Sequence, residues 1–361
     1  MRKLLFILAF SLLFCDGASS QKIVWDVDFV SVFNNREGGD EQTPDQTFLH
    51  LRLTPQIGVS FADGRHTLMG GVSYFQPLNN DWGGHKLTPT FHYRYAQNGW
   101  RLSMGFIPRT VLLSDVPKYL WSDSLAYHQP VIRGLLAQKT TRSGYSELML
   151  DWRQLQSETR REAFVVGFNS SYHIGALFTI GGHVQYNHLA KRKNAPEGES
   201  VNDDATINPM VGLDFTKRTG LDTLAFRLGL IIQLERNRAQ GKWQTPAGFV
   251  ADARCRYRWI EARETFFAGK DLFPLYEQFG CELNLGDPYY RYKIYSRTDV
   301  IAHVVNTEFV DVTASLSAHV TDKMFGFWQQ IGVRFYINND IWRNRKNRDG
   351  MIAMPKLRSI Y

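Results

Sequence analysis

Cysteine is scarce in this sequence. Three occur among 361 residues, Cys15, Cys255 and Cys281, too few for the disulfide framework that holds many exported chains together. Long apolar runs are scarce as well: beyond the first residues no stretch nears the ~18 residues that a membrane-spanning helix needs. Anchoring by a helix is thereby excluded. Metal-ligand spacing is missing, because none of the ten histidines stands in register with neighbouring Cys, Asp or Glu; no metal and no cofactor is expected. Paired glycines at 38–39, 70–71, 83–84 and 181–182 precede no helical pattern and read as turns and bulges, not phosphate cradles. No serine sits in a nucleophile-elbow context. From these absences, the expectation is that the chain is not an enzyme.

What is present begins with an address. Arg2 and Lys3 precede an apolar run from Leu4 to Phe14, and Ala18-Ser19-Ser20 offers small residues for cleavage, so residues 1–20 read as a signal peptide and the mature chain begins at Gln21. Cys15 is not read as a lipidation site, since Phe14 stands where a small residue is needed. The full chain holds 42 Lys+Arg and 35 Asp+Glu; without Arg2, Lys3 and Asp16 the balance is 40 against 34, or +6. Part of that excess is local to residues 339–361, a basic segment carrying Arg343, Arg345, Lys346, Arg348, Lys356 and Arg358. In an exported chain it reads as a solvated periplasmic tail with no nucleic-acid partner.

Between these ends the sequence alternates. In Thr47–Phe61, residues Leu49, Leu51, Leu53, Pro55, Ile57, Val59 and Phe61 share one parity, and His50, Arg52, Thr54, Gln56, Gly58 and Ser60 share the other. A period of two sends successive side chains to opposite faces, so this is a strand. The same pattern recurs from Ile23 to Val333 and beyond, giving about sixteen segments, fourteen to eighteen at the limits, each near the ~10 residues a tilted strand needs to cross a bilayer. Tyr290, Tyr292 and Ile294 are taken as one such outward row against Arg291, Lys293 and Arg297. Short connections (62–65, 97–99, 171–175, 258–260) alternate with longer ones (35–46, 77–85, 110–130, 154–162, 189–203, 236–244, 269–288). A soluble sandwich has shorter strands and no reason to keep that rhythm. The fold class is therefore all-β, a transmembrane antiparallel barrel over 21–338. Parity places Arg52, Arg94, Arg101, Arg227, Arg254, Arg256, Arg297 and Arg334, with Glu147 and Asp151, on the lumen side, where water spares them the about 2–4 kcal/mol that a midplane charge costs in lipid.

The final segment, "QQIGVRFYIN", carries Gln330, Gly332, Phe335 and Ile337 and is similar to the terminal assembly signal of bacterial outer-membrane proteins. That resemblance implies recognition by the barrel-assembly machinery. In length, strand number and loop rhythm the chain resembles a porin. The resemblance implies a Gram-negative outer-membrane location, contact with outer-membrane lipid and homo-trimers. It also implies a third outer loop folded into the lumen, here 110–130, whose Asp115 and Asp123 face the arginines across a constriction and whose Pro117–Trp121 run forms a short helix. No room is left near Gln21 for the plug of a TonB-dependent transporter. The function expected is a passive diffusion pore for small polar solutes with a mild anion preference. Two alternatives make different demands: an enzyme acting on outer-membrane lipid needs a filled barrel and a convergent Ser/His/Asp group near the lipid rim, and a non-conducting secretion scaffold needs a blocked lumen.

Overall fold

The computed structural model describes residues 21–78, 84–216, 218–339 and 341; the leader and the basic tail from 342 onward lie outside these. Sixteen antiparallel strands close into one barrel. They are β1 Lys22–Glu37, β2 Gln46–Phe61, β3 His66–Pro77, β4 Lys86–Gln97, β5 Trp100–Pro108, β6 Val131–Thr140, β7 Gly144–Gln154, β8 Ala163–Ile174, β9 Phe178–Leu189, β10 Asn202–Asp214, β11 Thr223–Asn237, β12 Ala247–Tyr257, β13 Ile260–Gly269, β14 Ile294–Asn306, β15 Val310–Thr321 and β16 Phe325–Asn338. Every strand pairs with its sequence neighbours, and β1 closes on β16 with Phe29 opposite Phe335 and Val27 opposite Ile337. All four members of the terminal motif therefore lie on the closing seam, Gln330 opposite Asn34 and Gly332 opposite Val32. Closure leaves no edge of unpaired backbone groups, which hydrocarbon could not satisfy.

The faces are inverted relative to a water-soluble protein. On β2 the outward Ile57 is 64% exposed while the inward Gln56 is 8% exposed. Outward Leu87, Met104, Val211, Leu230 and Ile331 are likewise exposed, an arrangement stable only where lipid replaces water around the wall. One barrel end carries short turns; in the tightest, Asn98 and Gly99 have φ of 50° and 76°, the two left-handed positions of a type I′ hairpin. The other end carries the long connections 109–130 and 270–293.

Both long loops turn inward and build an apolar core inside the barrel. Tyr119 and Leu120 of the first join Leu272, Phe273, Tyr289 and Tyr290 of the second against the wall residues Met210, Ile231, Val250, Phe267, Tyr295 and Trp328. Trp121 and Leu125 pack on Ile107, Ile132, Leu136, Met149 and Val165. Tyr127 reaches Val30 and Val32 on the opposite wall, and Leu275 with Leu283 covers Ala163 and Leu189. The loops are tied to each other by Ser122 N–H to Leu285 O (2.8 Å) and Asp287 N–H to Lys118 O (2.8 Å).

Two local expectations are corrected. The helix in the first loop is α1, Asp123–His128, not Pro117–Trp121. Ser122 caps it by accepting from Leu125 N–H, whereas Pro117 begins a turn whose carbonyl accepts from Leu120 and Trp121. Tyr290 and Tyr292 do not face lipid: a 3-10 turn at Pro288–Arg291, capped by Asp287, carries Tyr290 into the lumen core. Pro288 lacks the N–H that a strand ladder would use but suits a first helical turn.

Asp287 makes the loop core pH-dependent. Burial, followed by the nearby Asp123 charge, pushes its carboxyl up to about 6. A raised acid favours the folded loop below the ordinary carboxylate range, and that contribution is lost as pH rises through about 6. Asp287→Asn keeps the cap and removes the ionisation. It is expected to stabilise the loop core by roughly 2–3 kcal/mol at pH 8 and to change nothing at pH 3.5, as read from unfolding midpoints at the two pH values.

Candidate functional site

The lumen charges expected from parity do face inward, and most are consumed in bracing. Arg334 makes two bonds to Asp28, 3.1 and 3.0 Å; Arg227 donates to Asp252 at 3.2 Å and Arg254 to Glu261 at 3.2 Å. Glu147 holds the first loop by accepting from Leu113 N–H (2.7 Å) and Ser114 N–H (3.0 Å). Asp151 pairs with Arg109 and accepts from Arg133 N–H. Arg297 donates to Asp123 at 2.7 Å and to Asp299 at 3.0 Å, while Lys118 binds the other Asp123 oxygen. Burial opposes that Asp123 charge, but Lys118 and Arg297 together hold its carboxyl well below the usual carboxylate range. Asp115 lines a cavity of about 160 Å³ together with Arg227 and Arg254. Arg52 donates to Tyr127 O; Arg94 donates to Thr67; Arg256 turns to the carbonyl of Arg258. Arg101, inward on β5, sits opposite Gln138. Gln330 and Gly332 are inward on β16, with Gln330 accepting from Ser315.

A second constellation lies on the outside of the wall, near the long-loop end. Register aligns Phe164 with His188, His188 with Asp203, and Asp203 with Arg236. All four have the outward parity. His188 Nδ1 is 3.0 Å from Asp203 Oδ1, Tyr186 O–H donates to the same oxygen at 2.7 Å, and Arg236 and Arg238 donate to Oδ2 at 3.1 and 2.7 Å. An ionised Asp203 can only accept, so His188 donates through Nδ1 and keeps its lone pair on Nε2. Phe164 stacks on the imidazole with centroids 4.9 Å apart, and Trp152 continues the row at 5.3 Å.

The loops above this row are joined. Lys193 N–H donates to Ser157 O at 2.9 Å, Arg161 donates to Ala190 O and Ser200 O, and Arg238 N–H donates to Val201 O. They present Arg160, Lys191 and Lys193 to solvent. Alongside runs an open exterior groove of about 930 Å³ lined by Phe106, Arg133, Trp152, Leu155 and Arg160. Leu155 is 74% exposed within it. The sequence alone missed this site, because histidine was sought at metal-ligand spacing. A signal was present: Tyr186, His188 and Asp203 are polar residues on the lipid parity, where hydrocarbon tolerates few.

A family model described as lipid A 3'-O-deacylase-type matches residues 15–329. No curated protein sequence matches the chain. Among solved structures the barrel is similar to Pseudomonas aeruginosa OccK9 (OpdG), with a TM-score of 0.54 at 8% identity over 88% of this chain and 98% of that one. It is also similar to OccK5 (OpdH) from the same organism, with a TM-score of 0.53 at 7% identity over 88% and 98%. For OpdK, solved with vanillate, the TM-score is 0.52 at 10% identity over 89% and 100%. At such identities these likenesses establish the porin-type barrel fold and nothing more. The expectation that the chain is not an enzyme is overturned by the family match, since that family is enzymatic. Motif spacing could not reveal this, because residues that meet across strand register need share no local motif.

Proposed function

The chain belongs to the lipid A 3'-O-deacylase-type family, and from that premise we propose that it is an outer-membrane esterase removing an acyl chain from an anionic glycolipid of the outer leaflet. The observation that carries this is the His188–Asp203 pair, 3.0 Å apart on the lipid-facing wall at the long-loop end, where the long loops of outer-membrane barrels face outside. Here Nε2 of His188 takes a proton from water and the resulting hydroxide attacks the ester carbonyl. The tetrahedral oxyanion collapses, and the protonated imidazole returns its proton to the departing alkoxide, giving a free acid and an alcohol. Asp203 fixes the tautomer and ring orientation. Arg236, with its guanidinium 4.3 Å over the Trp243 ring, and the loop cations supply positive charge for the glycolipid's phosphates. The exterior groove accommodates the acyl chain. Among the described residues no Ser, Thr or Cys is hydrogen-bonded to His188, so water is the nucleophile.

The test is incubation of purified protein with lipid A in mixed micelles, followed by mass spectrometry. Loss of one acyl chain supports the proposal; intact lipid A with a folded barrel sinks it. Arg236→Gln combined with Arg238→Gln is expected to raise KM for a phosphorylated lipid about tenfold or more, given charge-assisted bonds of roughly 1.5–3 kcal/mol each, and to spare a dephosphorylated one.

Passage of small polar solutes is a second reading. Sixteen-strand closure favours it, because barrels of that size enclose aqueous channels. Against it stands the apolar core that the two loops build inside the wall. Planar-bilayer conductance separates the two: the intact protein is expected to give no stable steps.

A further inference from the structure

On the turn side of the plugging loops, β1 to β4 border a cavity of about 200 Å³ that no step of ester hydrolysis uses. It has room for about seven waters at liquid density. Two glycines stand beside the lining residues Gln56 and His92. Gly71 sits inward between Gln56 and Thr90, and Gly105 sits inward opposite His92. Gly105 has φ +121°, and a Cβ there would lie 2.2 Å from the carbonyl oxygen of Phe91, so its backbone excludes larger residues.

The lining carries charges of both signs. Asp26, Asp28, Arg52 and Arg94 all face the cavity, but Asp28 is already closed by the two bonds from Arg334. Asp26 is the other lining carboxylate among the described residues, and it accepts from Gln56 Nε2 at 3.2 Å. Arg52 spends one N–H on Tyr127 O, at 3.2 Å, and forms no ion pair within 4 Å among the described residues. Two further groups are unsatisfied. Among the described residues Gln56 Oε1 and His92 Nδ1 have no hydrogen-bond partner, although each residue is only 8% exposed and lines the cavity. Buried polar atoms are seldom left so without a ligand or water to meet them.

We propose that this cavity is a binding site for a small hydroxylated monocarboxylate, of the sugar-acid class. The carboxylate pairs with Arg52, a hydroxyl donates to Gln56 Oε1, and a second hydroxyl meets His92 Nδ1. A neutral sugar leaves Arg52 without a carboxylate. A plain alkanoate leaves Gln56 and His92 unsatisfied. Room for about seven waters suits an acid of five or six carbons. The site does not rest on the esterase reading, and the two can fail separately.

The experiment is calorimetric titration of the mature chain in detergent micelles with D-gluconate, D-glucose and hexanoate in parallel. Saturable gluconate binding is expected, with glucose and hexanoate each about tenfold weaker or more, as loss of a charge-assisted or paired buried bond implies. Arg52→Gln should weaken gluconate by a similar factor and leave the weak glucose signal unchanged. Met69→Trp, which fills the recess from β3, should abolish binding even if Arg52→Gln fails to fold; folding is checked by heat-modifiable gel migration. No gluconate binding to wild type, glucose binding as tight as gluconate, or full gluconate binding by a folded Met69→Trp variant would each overturn the assignment.

Discussion

Under the proposed esterase activity, replacing His188 by Asn is expected to lower the rate of glycolipid deacylation by about 10²–10⁴, the range that a positioned general base contributes, and to leave the barrel folded. The residue lies on the outer wall with a side chain 15% exposed, so its loss opens no core cavity. Asp203→Asn should have nearly as large an effect on rate but a different signature. With a neutral amide at 203 the imidazole loses the acceptor that fixes Nδ1–H, and Arg236 and Arg238 lose their shared carboxylate. The rate should therefore fall together with some barrel stability, and heat-modifiable migration should separate the two variants. Deacylation surviving in folded His188→Asn would move the chemistry to another site and reopen the lumen for search.

Breaking the latch between the first loop and the wall carries the largest expected effect on structure. Arg297 and Asp123 are each 6% exposed at the side chain and 2.7 Å apart. Arg297→Met leaves Asp123 with Lys118 alone and Asp299 without its cation, inside the wall. Removing one partner of a buried pair costs about 3–5 kcal/mol, whereas replacing both by apolar residues is often neutral. The single variant is thus expected to release residues 109–130 to protease in intact barrels and to produce conductance steps where wild type has none. Asp123→Leu with Arg297→Met should recover much of the protection. Equal protease resistance in wild type and Arg297→Met would mean that the apolar contacts of Tyr119, Leu120 and Trp121 hold the loop unaided.

Sixteen strands, their inward and outward parity, and the alternation of short turns with long loops were legible in the residues alone. Each follows from interactions between near neighbours: a period of two along a strand, and turn chemistry such as Asn98-Gly99. The arginines and carboxylates assigned to the lumen by parity do face inward for the same reason. That most of them are consumed in pairing, as Arg334 is with Asp28 across 306 positions, could not be read, because pairing depends on which strands become neighbours on closure.

Local pattern was insufficient in two kinds of place. Tyr290 and Tyr292 alternate with charged residues as a strand would, yet Pro288 and the apolar space inside the barrel draw that segment into the lumen core. His188, Asp203 and Arg236 come from three strands, and only register sets them side by side. The sequence by itself determined an inside-out sheet long enough to close around a lumen, because alternation acts residue by residue. What fills the lumen, and which polar groups converge on its outer wall, were decided by tertiary structure, since both depend on contacts between residues that the chain holds far apart.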